Sequence, residues 1–182
     1  MFASFLNIRF YIGCTILLLT SCSTSKDTFL HRQYHQITTR FNGYFNGNIS
    51  FSSGLEQLYG NHVEDYSELL PIYIMGDEKS AQSIYSYMDN AIKKSSIVIK
   101  KHSMNIRDNQ KNKWIDDNYL LIGKARFYKK EYIEAIDAFN QVQKISENEK
   151  IFYDAIYWTA RCYVELENYI QATNYIELIE ID

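Results

Sequence analysis

Ile122-Gly123-Lys124-Ala125-Arg126-Phe127-Tyr128-Lys129-Lys130-Glu131-Tyr132-Ile133-Glu134-Ala135-Ile136-Asp137-Ala138-Phe139 decides the fold, because a second stretch repeats it: Thr159-Ala160-Arg161-Cys162-Tyr163-Val164-Glu165-Leu166-Glu167-Asn168-Tyr169-Ile170-Gln171-Ala172-Thr173-Asn174-Tyr175-Ile176. Gly123 falls on Ala160, Ala125 on Cys162, Tyr132 on Tyr169, Ala135 on Ala172 and Phe139 on Ile176, each pair 37 residues apart. Self-similarity at a fixed period of this size marks an array of helical units, each burying an apolar face on the next. Two helices approach closely only where side chains are small, and the gaps beside the crossing must be filled by large ones. Gly123/Ala160 and Ala135/Ala172 supply the first; Tyr132/Tyr169 and Phe139/Ile176 supply the second.

The pattern resembles the tetratricopeptide repeat. The expected fold is therefore all-α, a tetratricopeptide-like helical hairpin array (α-solenoid), with two repeats over residues 114–182. Three features depart from the usual repeat. Lys130 or Glu167 stands where the inter-helix turn usually has Gly, no Pro closes either unit, and the period is longer than the common 34 or so. The longer period implies an extended second helix. In such repeats the first helices line a concave groove, and the resemblance implies Asp117, Leu120, Lys124, Phe127 and Tyr128 there from one unit, with Asp154, Tyr157, Arg161, Val164 and Glu165 from the next. Each set starts acidic and turns basic seven positions on, about two helical turns, so each charge pair shares a face. Lys124 and Arg161 in line suit an acidic or carboxylate-bearing peptide. The alternative is a solvated face whose charges merely balance.

Upstream, residues 29–113 read as a helical region with a degenerate repeat. Phe51, Gly54 and Leu58 keep the spacing of Tyr132, Ala135 and Phe139; Phe29 to Asn46 forms the paired helix, with Gly47-Asn48 as the turn. Glu64 to Asp77, holding the only Pro, Pro71, is an irregular connector. Lys79 to His102 carries Ile84, Met88, Ala91, Ile92, Ser95 and Ile99 near helical spacing and predicts one long helix. The polar run Arg107 to Lys113 is the loop into the first clear unit.

Further out, residues 1–21 have the pattern of a secretory signal: Arg9 supplies charge, and Phe10 to Leu19 an apolar core too short for the roughly 20 residues of a bilayer span. Leu19-Thr20-Ser21-Cys22 resembles a lipobox, with small residues admitting the peptidase and the Cys22 thiol as the nucleophile that takes the lipid. Several acyl chains on Cys22 give the stable anchoring that one chain does not. Residues 22–28 are then a lipidated tether, and palmitate is among the acyl groups such a cysteine carries. Ser23, where an inner-membrane retention signal of the enterobacterial type has Asp, implies the outer membrane. Loss of Cys14 with the signal and acylation of Cys22 leave Cys162 without an intramolecular partner.

Composition agrees with a helical protein. One Pro, seven Gly and sixteen Tyr suit long helices packed through aromatics. The net charge of -3 becomes one unit more negative when Arg9 leaves, which argues against nucleic acid as a partner.

Cys22-Ser23-Thr24, then Tyr34-His35-Gln36-Ile37-Thr38-Thr39-Arg40-Phe41-Asn42-Gly43-Tyr44-Phe45-Asn46-Gly47-Asn48, Asp65-Tyr66, Leu70-Pro71-Ile72-Tyr73 and Trp114-Ile115-Asp116-Asp117 resemble the N-terminal part of the SprE/PorW-type lipoproteins of the type IX secretion and gliding-motility machinery of Bacteroidota. That resemblance implies a lipoprotein on the periplasmic face of the outer membrane, without catalytic activity or cofactor, whose partners are other envelope proteins of the secretion apparatus. Members are several times longer. The end at Asp182, within a second helix, leaves Ile176, Ile179 and Ile181 without a cap, so further repeats or a partner are expected to complete the array. A β-barrel assembly lipoprotein shares the lipobox and repeats but lacks the Phe-Asn-Gly-Tyr-Phe-Asn block.

Catalytic alternatives are thin. His31 and His35 could share a helix face as metal ligands in an envelope hydrolase, but Arg32 follows where a zincin has Glu and no further donor cluster completes the set. Asp116-Asp117 at a repeat start are helix-terminus residues favoured by the dipole. Phe41 to Gly47 has no Lys-Ser/Thr to make a phosphate cradle, and Gly43 more simply admits a neighbouring helix. Cys162 at a small-residue position is expected to be buried.

Overall fold

The computed structural model describes residues 23–67 and 69–180. The expected signal over 1–21, the lipidated Cys22 and Ile181 lie outside the described residues. Within them the regular elements are helices apart from one miniature hairpin, and a connector without regular structure separates Gly60 from Glu78.

The first correction concerns the upstream region. Phe29 to Gly60 is one continuous helix, comprising α1 (Phe29–Thr38), a π-helical segment (Thr39–Phe45) and α2 (Asn46–Gly60), and both junctions keep right-handed helical angles. Gly47-Asn48 is therefore no turn. The buried row His35, Thr39, Gly43, Gly47 and Phe51 recurs every four residues. In a pure α-helix that row would drift by about 40° per step. The wider π turn absorbs the surplus and keeps the row facing one way, and Asn46 Nδ2 donates to the Phe41 carbonyl at 2.9 Å across it. The glycines are there for approach: a Cβ on Gly43 would run into Val98 Cγ2, and one on Gly47 would sit 3.0 Å from Leu121 Cδ2.

The second correction is that Lys79 to His102 is not one helix. A short α3 (Glu78–Ser83), capped by Asp77 accepting from the Ser80 N–H at 2.8 Å, precedes α4 (Tyr85–His102). The break is at Ile84, fully buried at φ -99° and ψ -3°. The bend lets Ile84 enter the core together with Met88, Ala91, Ser95 and Val98; Val98 takes the inward place expected for Ile99.

The polar run after α4 is also ordered. β1 (Asn105–Ile106) pairs antiparallel with β2 (Asn109–Gln110). Arg107 and Asp108 between them have φ 54° and 61°, the pattern of a type I′ turn. The Gln110 side-chain oxygen accepts from the Met104 and Asn112 N–H groups at 2.9 and 3.1 Å, fixing the hairpin to the start of the next helix.

Four helices follow: α5 (Ile115–Tyr128), α6 (Tyr132–Ile145), α7 (Glu149–Glu165) and α8 (Tyr169–Glu180). The long first helix packs on α4, α4 on α5, α5 on α6 and α7, α6 on α7, and α7 on α8. The α5–α6 and α7–α8 turns are superimposable in their bonding. Lys130 (φ 63°) and Glu167 (φ 57°) take the left-handed conformation. Glu131 N–H then donates to the Arg126 carbonyl at 3.0 Å and Asn168 N–H to that of Tyr163 at 2.9 Å, the closure of a Schellman cap. Gly123 lies against the Phe139 ring, where a Cβ would collide. The core runs unbroken from Phe51, Leu58, Ile84 and Met88 through Leu121, Phe127 and Phe139 to Ala155 and Cys162. On α8, Ala172 is buried while Ile170 and Leu178 are exposed.

Candidate partner-binding surface

The neighbouring helices α5 and α7 bring together only part of the set expected to line a groove. Leu120, Phe127 and Tyr128 are buried, at most 7% exposed, and belong to the core. Phe127 is enclosed by Tyr132 on α6 and Trp158 on α7, and the side of α5 that carries Tyr128 is covered by α2. Tyr128 packs edge-on to Phe51 and meets the Tyr59 hydroxyl at 3.2 Å. Val164 and Glu165 are exposed, but Glu165 accepts from Tyr132 on α6 at 3.2 Å and so turns away from the rest.

What converges is Lys124, Asp154, Tyr157 and Arg161, around a residue that sequence spacing did not single out, Trp158. Its ring meets Phe127 edge-on with centroids 5.1 Å apart and lies nearly parallel to Phe139 at 6.4 Å. Two cations sit against it: Arg161 with Cζ 4.5 Å from the ring centroid, and Lys124 with Nζ at 5.4 Å. Lys124 also reaches Asp154 at 3.9 Å. Each basic residue was expected to share a face with the acid seven positions before it, whereas this contact crosses from one helix to the next. Burial lowers the Lys124 pKa, opposed by Asp154.

The Arg161 guanidinium is boxed by aromatics, with Phe127 at 4.7 Å and Tyr157 at 5.9 Å in addition to Trp158. The wall nearest to it comes from the connector between α2 and α3: the Tyr73 ring lies 3.9 Å from Cζ. The Tyr73 and Tyr157 hydroxyls are 2.6 Å apart, and Met75 Sδ is 3.9 Å from an Arg161 nitrogen. The chain thus lays its own extended segment across the place where a peptide was expected. Tyr73 and Met75 carry no periodic signal and stand more than eighty positions from their partners; the one hint was the aromatic and apolar content of a connector that buries little.

Asp117 faces a different space. Asp116 and Asp117 open α5 beside a cleft of about 890 Å³ that Glu147, Glu149 and Lys150 also line. Burial, then the neighbouring Asp116, pushes Asp117 up to about 7. Asp116 is also raised by burial, although Ser146 Oγ donates to it at 2.7 Å. These are helix-terminus residues, as expected, but desolvated ones.

The two histidines considered as ligands do not converge. His31 meets Thr28 Oγ1 at 2.6 Å, while His35 is buried and joins His102 Nδ1 to Nδ1 at 2.8 Å. Asn112 Nδ2 closes this polar seam, donating to Thr39 Oγ1 at 2.7 Å and to the His102 carbonyl at 2.9 Å. Cys162 is buried, and burial pushes its thiol up to about 12, so it is a packing residue.

No protein-family model matches this chain, and no curated protein matches it.

Proposed function

We propose that the chain is a non-enzymatic, membrane-tethered scaffold of tetratricopeptide-like helical hairpins, and that the surface around Trp158 and Arg161 takes an extended, aromatic-bearing segment of a partner protein. The observation that carries the reading is the repeated unit. Two hairpins share a 37-residue period, a Schellman closure over Lys130 and Glu167, and small residues at the helix crossings. The lipobox ending in Cys22 supports the tether. The Phe41 to Asn46 block supports a partner among envelope proteins of a type IX secretion or gliding apparatus, at the periplasmic face of the outer membrane.

The ligand class differs from the acidic peptide that charge spacing suggested. Asp154 already engages Lys124, and aromatic rings enclose Arg161. Such a box suits a Tyr, which covers the cation and offers a hydroxyl to Tyr157, as Tyr73 does. A labelled peptide of residues 69–76, added to the full chain carrying Tyr73→Ala, should bind at least about fivefold more tightly than to the unaltered chain. Arg161→Glu should abolish that binding with helicity intact. Equal binding to all three chains would remove the surface from consideration. Metabolic labelling with palmitate, lost on Cys22→Ser, tests the tether separately.

A further inference from the structure

Opposite the buried row of the first long helix runs a second row, of large apolar side chains. Leu30, Tyr34, Ile37, Phe41, Phe45 and Ile49 are 47–77% exposed and spaced three or four residues apart. The π turn that straightens the inward row straightens this one too, since both sit on the same backbone. The result is a continuous apolar stripe about 30 Å long, at 1.5 Å per residue. Monomeric proteins rarely leave such a stripe bare without a use for it.

The charge pattern selects the occupant. No Asp or Glu occurs between Asp27 and Glu56, while Arg32 and Arg40 flank the stripe. Arg32 pairs with Asp27 at 3.3 Å, and the Arg40 guanidinium lies over Phe41 and Trp114 with its charge otherwise unanswered by any ion pair among the described residues. An apolar stripe that carries Arg40 and holds no carboxylate along its own length fits a helix lying in the plane of an anionic lipid surface. Position agrees. Phe29 is seven residues beyond Cys22 and ten beyond the apolar run ending at Leu19. Attachment at Cys22 holds the first turn within about 25 Å of the bilayer, even with the intervening chain fully extended.

We propose that Leu30 to Ile49 is a membrane-docking face, which seats the helix flat on anionic phospholipid and sets the orientation of the array above it. The proposal deepens the membrane-tethered reading but does not require acylation of Cys22.

The test uses the full chain with Cys14→Ser and Cys22→Ser, bearing an environment-sensitive fluorophore at Ile37→Cys or Phe45→Cys; Ile133→Cys on α6 and Ile170→Cys on α8 are controls. Cys162 is buried and stays unlabelled. Vesicles of phosphatidylglycerol and phosphatidylcholine in equal parts should blue-shift the labels at 37 and 45 and leave those at 133 and 170 water-like. Arg40→Glu should weaken the vesicle-dependent shift about fivefold or more, the effect of roughly 1 kcal/mol per basic residue near such a surface. Water-like emission at 37 and 45 on vesicles overturns the proposal. So does a shift that needs no vesicles and grows with protein concentration, which would mean that a second copy covers the stripe. Palmitate incorporation at Cys22 reads the tether independently, so either idea can fail alone.

Discussion

Lys130 and Glu167 hold backbone angles that an L-residue adopts at a cost of about 1–2 kcal/mol, because the closure of each hairpin depends on them. Glycine fits that conformation freely but loses more entropy on folding. Lys130→Gly and Glu167→Gly should each raise stability by about 0.5–1 kcal/mol in urea unfolding. The positions stood out in the sequence as departures from the repeat pattern. What the sequence did not display is that the geometry survives the departure: a turn is dictated by the two helices it joins, and a non-glycine residue can be forced into it. Gly43 is the opposite case, where the side chain's absence matters and φ does not. Gly43→Ala should cost about 1–3 kcal/mol by overpacking against Val98. Gly60→Ala, with nothing within 4 Å of its Cβ, should be neutral or stabilising by up to about 1 kcal/mol.

Among the elements, the long first helix departs furthest from its sequence expectation, for a physical reason. Gly47-Asn48 is a turn dipeptide by local chemistry, and Phe51, Gly54 and Leu58 mimic a second repeat helix. Only the surfaces of α4 and α5 reveal that Gly47 is needed against Leu121 and Ser95. The four-residue spacing from His35 to Phe51 was present in the sequence but matches no pure α-helix; it becomes legible once a π turn is allowed. The first long helix and α4 are joined at one end by the part-buried His35–His102 contact, and that gives the pair a pH dependence. Burial holds both imidazoles below their usual value of 6.5. His31 adds to the effect on His35, and His35 and Lys101 add to that on His102. A second proton on His35 would also give Nε2 an N–H with no acceptor. The unfolded chain binds protons more readily, so the stabilisation is complete above the unfolded value and is lost as pH falls through it toward the lower folded values. Urea midpoints should therefore drop between about pH 7.5 and about pH 5.5, and His102→Asn should flatten the slope. An unchanged slope in the variant would place the dependence elsewhere.

For the whole molecule, the helical hairpins of residues 115–180 were readable because they are local: each contact that defines a hairpin lies within a short stretch of chain. The candidate site was readable only in part. Lys124, Asp154, Tyr157 and Arg161 do gather, but Trp158 at their centre and Tyr73 across them fall outside the aligned positions, and Tyr128 was drawn inward by the first long helix. The Tyr73–Tyr157 bond joins residues 84 apart in sequence. Tyr73→Phe should cost about 0.5–1.5 kcal/mol, the worth of one such hydrogen bond, and Tyr73→Ala more, with the loss read from urea unfolding. Elsewhere in this stack each helix touches its near neighbours, and an assembly linked that way extends like a coiled spring, one interface yielding at a time. The tie from the connector to α7 bypasses those interfaces. A pull applied between the amino-terminal end and α8 would load that tie together with the helix interfaces, so the molecule would be stiffer in tension up to the force that frees Tyr73, and more compliant beyond it.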